Sequence, residues 1–401
     1  MKLKSVMLAA LLGLIGASTA SAQTVINITG ATAFRSAMNT SIINILGGAG
    51  VCKYAYTGTT GISGSDQAIF EGQIGGEDFI IRTRQSGSTQ GVADVVNQAT
   101  LTTYLDVALT AGDRIVGGAA ISASGKTASA IARFSFSDVD QAISNTPTPA
   151  LPGEALGVVP FVFVANVGTT GITNMTDQLH NAQWSLGELP RSMYSGNPAH
   201  TDLVYCTGRS NGSGTRATIL AETRYGVFAN VVQRSAVVTS GSEGTGTLTS
   251  ISTPGNAGAP SNSVIRSFLA RSSASTSVDG GTAGPISVIS YLTLSDAVAI
   301  TDVVGVPTSA TVAAAGPSGY AIDLTYNGFP YSEDNVKNGS YTLWGYQQFY
   351  GSVDITADEQ QFFDAFTDEI PNALNPTSTG IKTPEMNVTR FGGDGGTVLP
   401  N

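Results

Sequence analysis

The chain has 401 residues, a formal net charge of −10 and only 12% charged residues. This acidic balance argues against nucleic-acid binding, which needs a basic patch, and against electrostatic attachment to anionic membranes. The length is sufficient for two domains of ordinary size. With 48 glycines, two cysteines and two histidines, the composition is typical of a secreted, loop-rich protein and predicts neither a metal site nor a cofactor.

Residues 1–22 have the pattern of a cleaved secretory signal. A basic start precedes an apolar run and the small-residue cleavage site Ala20-Ser21-Ala22. The run is too short for a permanent membrane anchor. We therefore expect export to the periplasm or the cell surface after cleavage near Ala22, with no stable membrane insertion. In an oxidising compartment Cys52 and Cys206 can form a disulfide or remain buried thiols, and the sequence does not decide between the two.

Hydrophobic periodicity predicts strands that alternate with helices, which indicates an α/β protein with mostly parallel sheets. Predicted strands cover residues 25–29, 51–56, 79–84, 130–136, 156–167, 202–207 and 286–294. Predicted helices cover residues 34–46, 175–186 and 216–225, and a further helix carries Val92, Val95 and Val96 on one face. The Gly- and Ser-rich stretches 57–78 and 239–263 are predicted as a loop insertion and a surface excursion. The aromatic run 341–350 is predicted to pack a helix onto the first domain.

Three Ser/Thr/Gly clusters follow predicted strands and open predicted helices. They are Thr29–Thr32, Ser86–Thr89 and Asn211–Thr215. A helix start exposes unpaired N–H groups and the positive end of the helix dipole, and glycine lets a ligand approach the backbone. With Arg209 beside the third cluster, the pattern predicts helix N-termini converging on a small oxyanion. The second cluster, taken alone, is more simply a helix cap.

Two charged residues give this predicted site its chemistry. Arg209 can bind two oxygens of an anion and supplies one full positive charge. Asp138, at the end of a predicted strand, would repel an anion unless the anion carries a proton to donate. Phosphate carries such a proton near neutral pH and sulfate does not, so Asp138 would favour phosphate. As an alternative, Asp138 is an ordinary turn or helix cap.

Four segments resemble one known family. Residues 28–34 (Ile-Thr-Gly-Ala-Thr-Ala-Phe), 86–92 (Ser-Gly-Ser-Thr-Gln-Gly-Val) and 136–138 (Phe-Ser-Asp) are each similar to one of its motifs, the first with one residue fewer. Residues 209–215 (Arg-Ser-Asn-Gly-Ser-Gly-Thr) resemble its Arg-Ala-Asp-Gly-Ser-Gly-Thr segment, with Asn211 in place of the aspartate. The family is that of the periplasmic phosphate-binding proteins of ABC importers.

This resemblance implies a two-lobed α/β fold of the periplasmic-binding-protein type (class II), with mixed, mostly parallel sheets flanked by helices and a ligand cleft between the lobes. Lobe I would comprise residues 23–157 and 285–401 and lobe II residues 158–284, with crossovers near 156–167 and 286–294. The implied function is capture of inorganic phosphate by a monomer, for delivery to ABC permease subunits. The ligand contacts that the resemblance implies are Thr32, Phe34 (through its backbone), Ser88, Asp138, Arg209, Ser213, Gly214 and Thr215.

Other functions remain open. The chain can be an extracellular structural or adhesive protein that keeps the fold with an inactive site, or it can bind another anion such as sulfate, molybdate or a carboxylate. Residues 208–212 match the nucleophile-elbow pattern of hydrolases, but both histidines precede Ser210, which is the wrong chain order. Residues 120–127 resemble a phosphate-binding loop of nucleotidases without its first glycine. We therefore expect no enzymatic activity.

Overall fold

The computed structural model describes residues 23–58, 61–109, 112–240, 243–305 and 320–401. The predicted signal segment, residues 1–22, lies outside these described residues. The strands are β1 (Thr24–Gly30), β2 (Lys53–Tyr56), β3 (Gln67–Ile74), β4 (Glu77–Gln85), β5 (Thr100–Leu105), β6 (Ile115–Val116), β7 (Ala119–Ala120), β8 (Thr127–Ile131), β9 (Phe134–Ser137), β10 (Gly153–Ala165), β11 (Asn174–Met175), β12 (Glu188–Pro190), β13 (Leu203–Cys206), β14 (Ala236–Ser240), β15 (Thr247–Ile251), β16 (Ser277–Val278), β17 (Ser287–Thr293), β18 (Ile322–Asp323), β19 (Thr325–Tyr326), β20 (Trp344–Gly351), β21 (Val388–Phe391) and β22 (Thr397–Pro400).

The helices are α1 (Arg35–Ile45), α2 (Ser88–Val96), α3 (Asp177–Leu186), α4 (Ser192–Ser195), α5 (Gly214–Glu222), α6 (Asn262–Leu269), α7 (Leu294–Ala297), α8 (Glu333–Lys337) and α9 (Ala357–Glu369). Short 3-10 turns cover Ile62–Gly64, Gln141–Ile143, Ile370–Ala373 and Thr383–Glu385. Several helices begin at a hydroxyl side chain that accepts a backbone N–H of the first turn, which satisfies one otherwise unpaired donor. These capping residues are Thr176, Ser213, Ser261, Ser332 and Thr356.

Among the described residues, thirteen strands form one mixed sheet. Its main path runs β12-β13-β17-β10-β20-β9-β1-β4-β3-β2-β6, with β18 beside β10 and β7 beside β2. Parallel pairing occurs where β1 meets β4 and β9, where β13 meets β17, and between β2 and β7. The predicted α/β class is confirmed. Most neighbouring strands are nevertheless antiparallel, because β2, β3 and β4 follow one another as hairpins and because β10 and β20 run in opposite directions.

The long strand β10 joins the two halves of the sheet. Its residues 153–160 pair with β20, and its residues 161–165 pair with β17. We call β9, β1, β4, β3 and β2 the first half and β12, β13 and β17 the second half. The chain passes to the second half after Pro160 and returns at Trp344, its pairing partner. The predicted return at 286–294 corresponds to β17, which pairs within the second half.

Two predicted segments have a different structure. The stretch 57–78, predicted as a loop insertion, contains strand β3, whose residues pair with β4 along its whole length. The aromatic run 341–350 contributes the central strand β20 rather than packing a helix. Aromatic residues fit the pleated, packed surface of a strand, and Phe349 packs against Phe134 (ring centroids 5.5 Å apart) and Phe366 (4.8 Å).

The two cysteines are free thiols, both buried, and they lie in different parts of the sheet. Cys52 precedes β2 of the first half, and Cys206 ends β13 of the second half. Burial raises the pKa of each thiol to about 12, so both are protonated at neutral pH. Within the described residues, we find no helix with the length and apolar character needed to cross a lipid bilayer.

Candidate functional site

Three strand ends bring most of the predicted site residues together. Asp138 follows β9, and Ser88 opens α2 after β4; both strands lie beside β1 and run parallel to it. Their carboxyl ends therefore lie at the same edge of the first half. In the second half, β13 leads through residues 207–213 into α5, which begins at Gly214. The Asp138 loop and the start of α5 face each other across the junction of the halves.

The Asp138 carboxylate is the centre of this junction and is 2% exposed. From the first half, Ser88 Oγ donates a hydrogen bond to Asp138 Oδ1. From the second half, Thr215 Oγ1 donates to Asp138 Oδ2 at 3.3 Å. Gly214 packs so closely that a Cβ at this position would lie 1.8 Å from Asp138 Oδ1 and 2.3 Å from Ser88 Oγ. The two halves are thus in direct contact at the carboxylate.

Arg209 supplies the positive charge beside this carboxylate. Its side chain is buried, and Nη1 donates to Thr215 Oγ1 at 3.4 Å. Its Nε and Nη2 donate to the carbonyl oxygens of Ala259 (3.2 Å) and Pro260 (3.0 Å). The guanidinium is therefore held by backbone carbonyls, whereas Asn211 is exposed at the surface.

The electrostatics of Arg209 and Asp138 are mutually dependent. Burial raises the pKa of Asp138, and the hydrogen bond from Ser88 and the charge of Arg209 act in the opposite direction. Burial likewise lowers the pKa of Arg209, and the Asp138 carboxylate opposes that shift. Both charges are costly in isolation because each is removed from water. Each stabilises the charged form of the other.

The hydroxyl of Ser213 acts as the N-cap of α5. It accepts a hydrogen bond from the backbone N–H of Arg216 at 3.3 Å. Ser213 is buried and directly precedes the residues that touch Asp138. In the third cluster the helix cap and the contacts with Asp138 therefore come from consecutive residues.

Thr32 and Phe34 lie apart from the carboxylate contacts. The ring of Phe34 is buried, 6.4 Å from that of Phe136, and forms part of the core. Thr32 is half-buried and lines a separate cleft of about 530 Å³, together with Asn262 and Arg266 of the second half. Asn262 connects this cleft to the site, because its Nδ2 donates to Thr215 Oγ1 at 3.3 Å.

Sequence reasoning missed four residues that position Arg209 and Thr215. Tyr291 Oη accepts the backbone N–H of Arg209 at 3.2 Å, and Asn262 contacts Thr215 as above. Ala259 and Pro260 belong to the stretch predicted as a surface excursion, yet their carbonyls hold the arginine. A sequence signal did exist for Asn262: Ser261 followed by apolar residues at helical spacing is typical of a helix start.

Other titratable residues of the described chain form no competing centre. No group of three or more His, Cys, Asp or Glu side chains in those ranges is arranged to hold a metal ion. His180 is buried in the second half, where its ring stacks on Trp184 with centroids 4.5 Å apart. Burial lowers the pKa of His180 to about 4, which keeps the ring neutral at physiological pH.

Comparisons with known proteins gave structural neighbours alone: no family model and no curated protein matches the chain. An ABC-type phosphate transport receptor from Vibrio cholerae is 11% identical, with a TM-score of 0.42 over 86% of this chain and 93% of its own. PstS from Borrelia burgdorferi is 12% identical, with a TM-score of 0.40 over 90% and 100%. A DING protein is 10% identical, with a TM-score of 0.45 over 90% and 92%. Similarities this low leave the function to be argued from the site itself.

Proposed function

We propose that this chain is an exported solute-binding protein that captures an inorganic oxyanion, with phosphate as the favoured ligand. The observation that carries the proposal is the meeting of Asp138, Ser88, Thr215 and Arg209 at one buried point between the two halves. A carboxylate, hydroxyl donors and one guanidinium form a set that a partly protonated oxyanion complements.

The anion would bind by replacing the direct contact between Asp138 and Thr215. The hydroxyls of Ser88 and Thr215 and the guanidinium of Arg209 would then donate to its oxygens. Gly214 leaves the backbone N–H groups at the start of α5 accessible to a ligand, since this residue has no Cβ. Ser213 belongs to the proposal through the helix start that it caps, whereas Thr32 and Phe34 lie apart from the Asp138 carboxylate and stay predictions from the family resemblance.

Asp138 would select phosphate over sulfate. A carboxylate can accept the proton of HPO₄²⁻ or H₂PO₄⁻, whereas it faces only lone pairs on sulfate. An unpaired buried acceptor costs roughly 1–3 kcal/mol, and more when charged. Phosphate is therefore preferred at this position.

Closure of the two halves would trap the ion. The chain crosses between the halves at Pro160 and Trp344, so a hinge at this adjacent pair would separate Asp138 from Thr215. The pattern of residues 1–22 supports export. Delivery of the bound ion to ABC permease subunits by a monomer completes the proposed role, with no chemistry performed on the ligand.

Isothermal titration of the mature chain with phosphate tests this proposal, with sulfate as the competitor. We expect tight binding that sulfate does not displace and that weakens at least a hundredfold in Arg209→Ala and Arg209→Lys. Arg191→Ala is the matched control, because Arg191 pairs with Asp202 on the exposed surface of the second half.

Each contrary result has a distinct meaning. Tight phosphate binding that survives unweakened in both Arg209 variants would disprove the site. Displacement of tightly bound phosphate by sulfate would show that the site does not prefer phosphate and that its ligand is another anion. Absence of binding to either ion, with the protein retained at the cell surface on fractionation, would favour a structural role.

A further inference from the structure

We propose a second oxyanion site, separate from Asp138 and Arg209, in a small cavity that both halves line. Its volume is about 150 Å³. One water needs only about 10–15 Å³ of volume measured in this way, so the cavity fits one tetrahedral oxyanion together with waters. The polar lining residues are Thr89 and Asn145 from the first half and Asn211, Arg216 and Asn230 from the second.

The charge for this site comes from Arg216. Its guanidinium donates to the carbonyl oxygens of Arg209 (3.3 Å), Asn256 (3.0 Å) and Ala229 (3.4 Å) and to the amide oxygen of Asn256 (2.6 Å). All of these acceptors are neutral, and no carboxylate within the described ranges forms an ion pair with Arg216. Buried charges are normally paired. Arg216 is therefore a buried cation for which a bound anion would supply the missing counter-charge.

The start of α2 is the second feature that favours an anion in this cavity. Thr89 is 4% exposed, lines the cavity and lies in the first turn of α2. The backbone N–H groups and the helix dipole at such a start favour a bound anion. The cavity therefore combines a helix start of the first half with the Arg216 cation of the second half.

The protonation state of the anion follows from the lack of acidic side chains among the lining residues. None of the residues that line this cavity in the described part of the chain is Asp or Glu. The Asn145, Asn211 and Asn230 amides can donate hydrogen bonds to a fully deprotonated ion. This site therefore does not require a protonated ligand, and we expect it to accept sulfate as readily as phosphate. Because both halves contribute, the bound anion would favour the closed arrangement.

Sulfate is the probe for this site, since Asp138 excludes sulfate from the proposed phosphate site. Calorimetric titration of the mature wild-type chain should give one sulfate per chain. Asn145→Asp should weaken sulfate binding at least tenfold, because a carboxylate would then face the bound anion. Asn145 is exposed, so the variant is expected to fold, and Asn145→Ser is the control, with less than a threefold change. Arg216 is unsuitable for substitution because its guanidinium holds three backbone carbonyls.

The inference is wrong if sulfate does not bind at millimolar concentration, or if Asn145→Asp and Asn145→Ser bind it equally. Sulfate binding that depends on Arg209 and not on Asn145 would place the ion at Asp138 and also overturn the inference. A further outcome separates the two proposals. If tight phosphate binding is absent but Asn145→Asp still weakens sulfate binding, the proposed function is wrong and the second site is supported.

Discussion

Thr215 Oγ1 lies 3.3 Å from Asp138 Oδ2, although the two residues belong to different halves of the sheet. One helical turn later, Thr218 Oγ1 donates to the carbonyl oxygen of Asp138 at 3.0 Å. The first turns of α5 therefore form a continuous contact with the Asp138 loop. Any motion that separates the halves must break these bonds, so entry of the proposed ligand at Asp138 would require the halves to open.

Replacing the Asp138 carboxylate by an amide should reverse the anion preference. In Asp138→Asn we expect phosphate affinity to fall about a hundredfold, which is roughly 3 kcal/mol, because the amide has lost the charge that accepts the phosphate proton. Sulfate should bind more tightly at this site, since the new N–H group can donate to it. Competition calorimetry with both ions measures the change.

The stability of Asp138→Asn serves as its internal control. Ser88 can still donate to the amide oxygen, but the buried Arg209 loses the carboxylate that opposes its desolvation, so the free energy of unfolding should fall by up to about 3–5 kcal/mol in a variant that still folds. If the variant folds and the ratio of its phosphate affinity to its sulfate affinity is unchanged, Asp138 does not accept the phosphate proton.

Gly214 is the position where a single methyl group should keep the halves apart. A Cβ here would lie 1.8 Å from Asp138 Oδ1, so Gly214→Ala cannot be accommodated in the closed arrangement. We expect at least a hundredfold loss of phosphate affinity with retained helicity, because alanine is the better helix former at a position inside α5. Titration calorimetry and far-UV circular dichroism measure the two effects.

Gly212→Ala is the matched control for that prediction. A Cβ at Gly212 would meet only Gln90 Cβ, at the ordinary contact distance of 3.9 Å. The control should keep its affinity within about threefold, a difference of less than 1 kcal/mol. Equal losses in both variants would indicate a general effect on the loop rather than a block to closure.

Tyr291 is predicted to position Arg209. In Tyr291→Phe the backbone N–H of Arg209 loses its acceptor, the Tyr291 oxygen at 3.2 Å. Leaving this buried donor unpaired costs about 1–3 kcal/mol of stability, and the displaced arginine should weaken phosphate binding about tenfold. Tyr194→Phe removes a comparable bond to Gln183 in the same half and should lower stability without changing affinity. Indistinguishable affinities in the two variants would rule out the positioning role.

The sequence predicted the parts of the site that follow strands. Ser88, Asp138 and the Arg209–Thr215 segment each follow a strand that precedes a loop, and side chains at such ends converge in sheets of this class. The local sequence pattern was sufficient to predict these residues because each belongs to a short motif that also starts a helix or ends a strand. The structure brings them together, and their contacts with a ligand remain a prediction.

The missed residues have no local signature of their role. Tyr291 is 82 positions from Arg209 and Ala259 is 50 positions away, so only the folded chain brings them near the arginine. The same limit applies to β20: its aromatic residues fit a strand or a buried helix equally well over a short run. Its position between β10 and β9 settles the choice, because the backbone N–H and C=O groups of β20 then pair with strands on both sides.

The C-terminal hairpin of β21 and β22 makes stability depend on pH through Asp394. Its carboxylate accepts the backbone N–H of Asp140 at 2.6 Å, while Gly395 packs against Ala221 near the end of α5. Burial raises the pKa of Asp394 to about 7 from its ordinary value of 3.8; the hydrogen bond from the Asp140 backbone and the charge of Arg390 oppose this shift, and the charge of the Asp140 carboxylate adds to it. The folded chain therefore retains a proton that the unfolded chain has already released between these two values.

The sign of the effect follows from that difference in bound protons. As pH rises from about 4 to 7, the Asp394 contribution to the free energy of unfolding should fall by up to about 1.4 kcal/mol per pH unit. Asp394→Asn removes this contribution, so its stability relative to the wild type should increase steadily across the window and level off above it. His180, whose pKa burial lowers, acts in the opposite direction but is present in both proteins and cancels in the comparison. Urea denaturation at several pH values gives the two curves, and parallel curves would show that the Asp394 carboxyl titrates alike in the folded and unfolded chains.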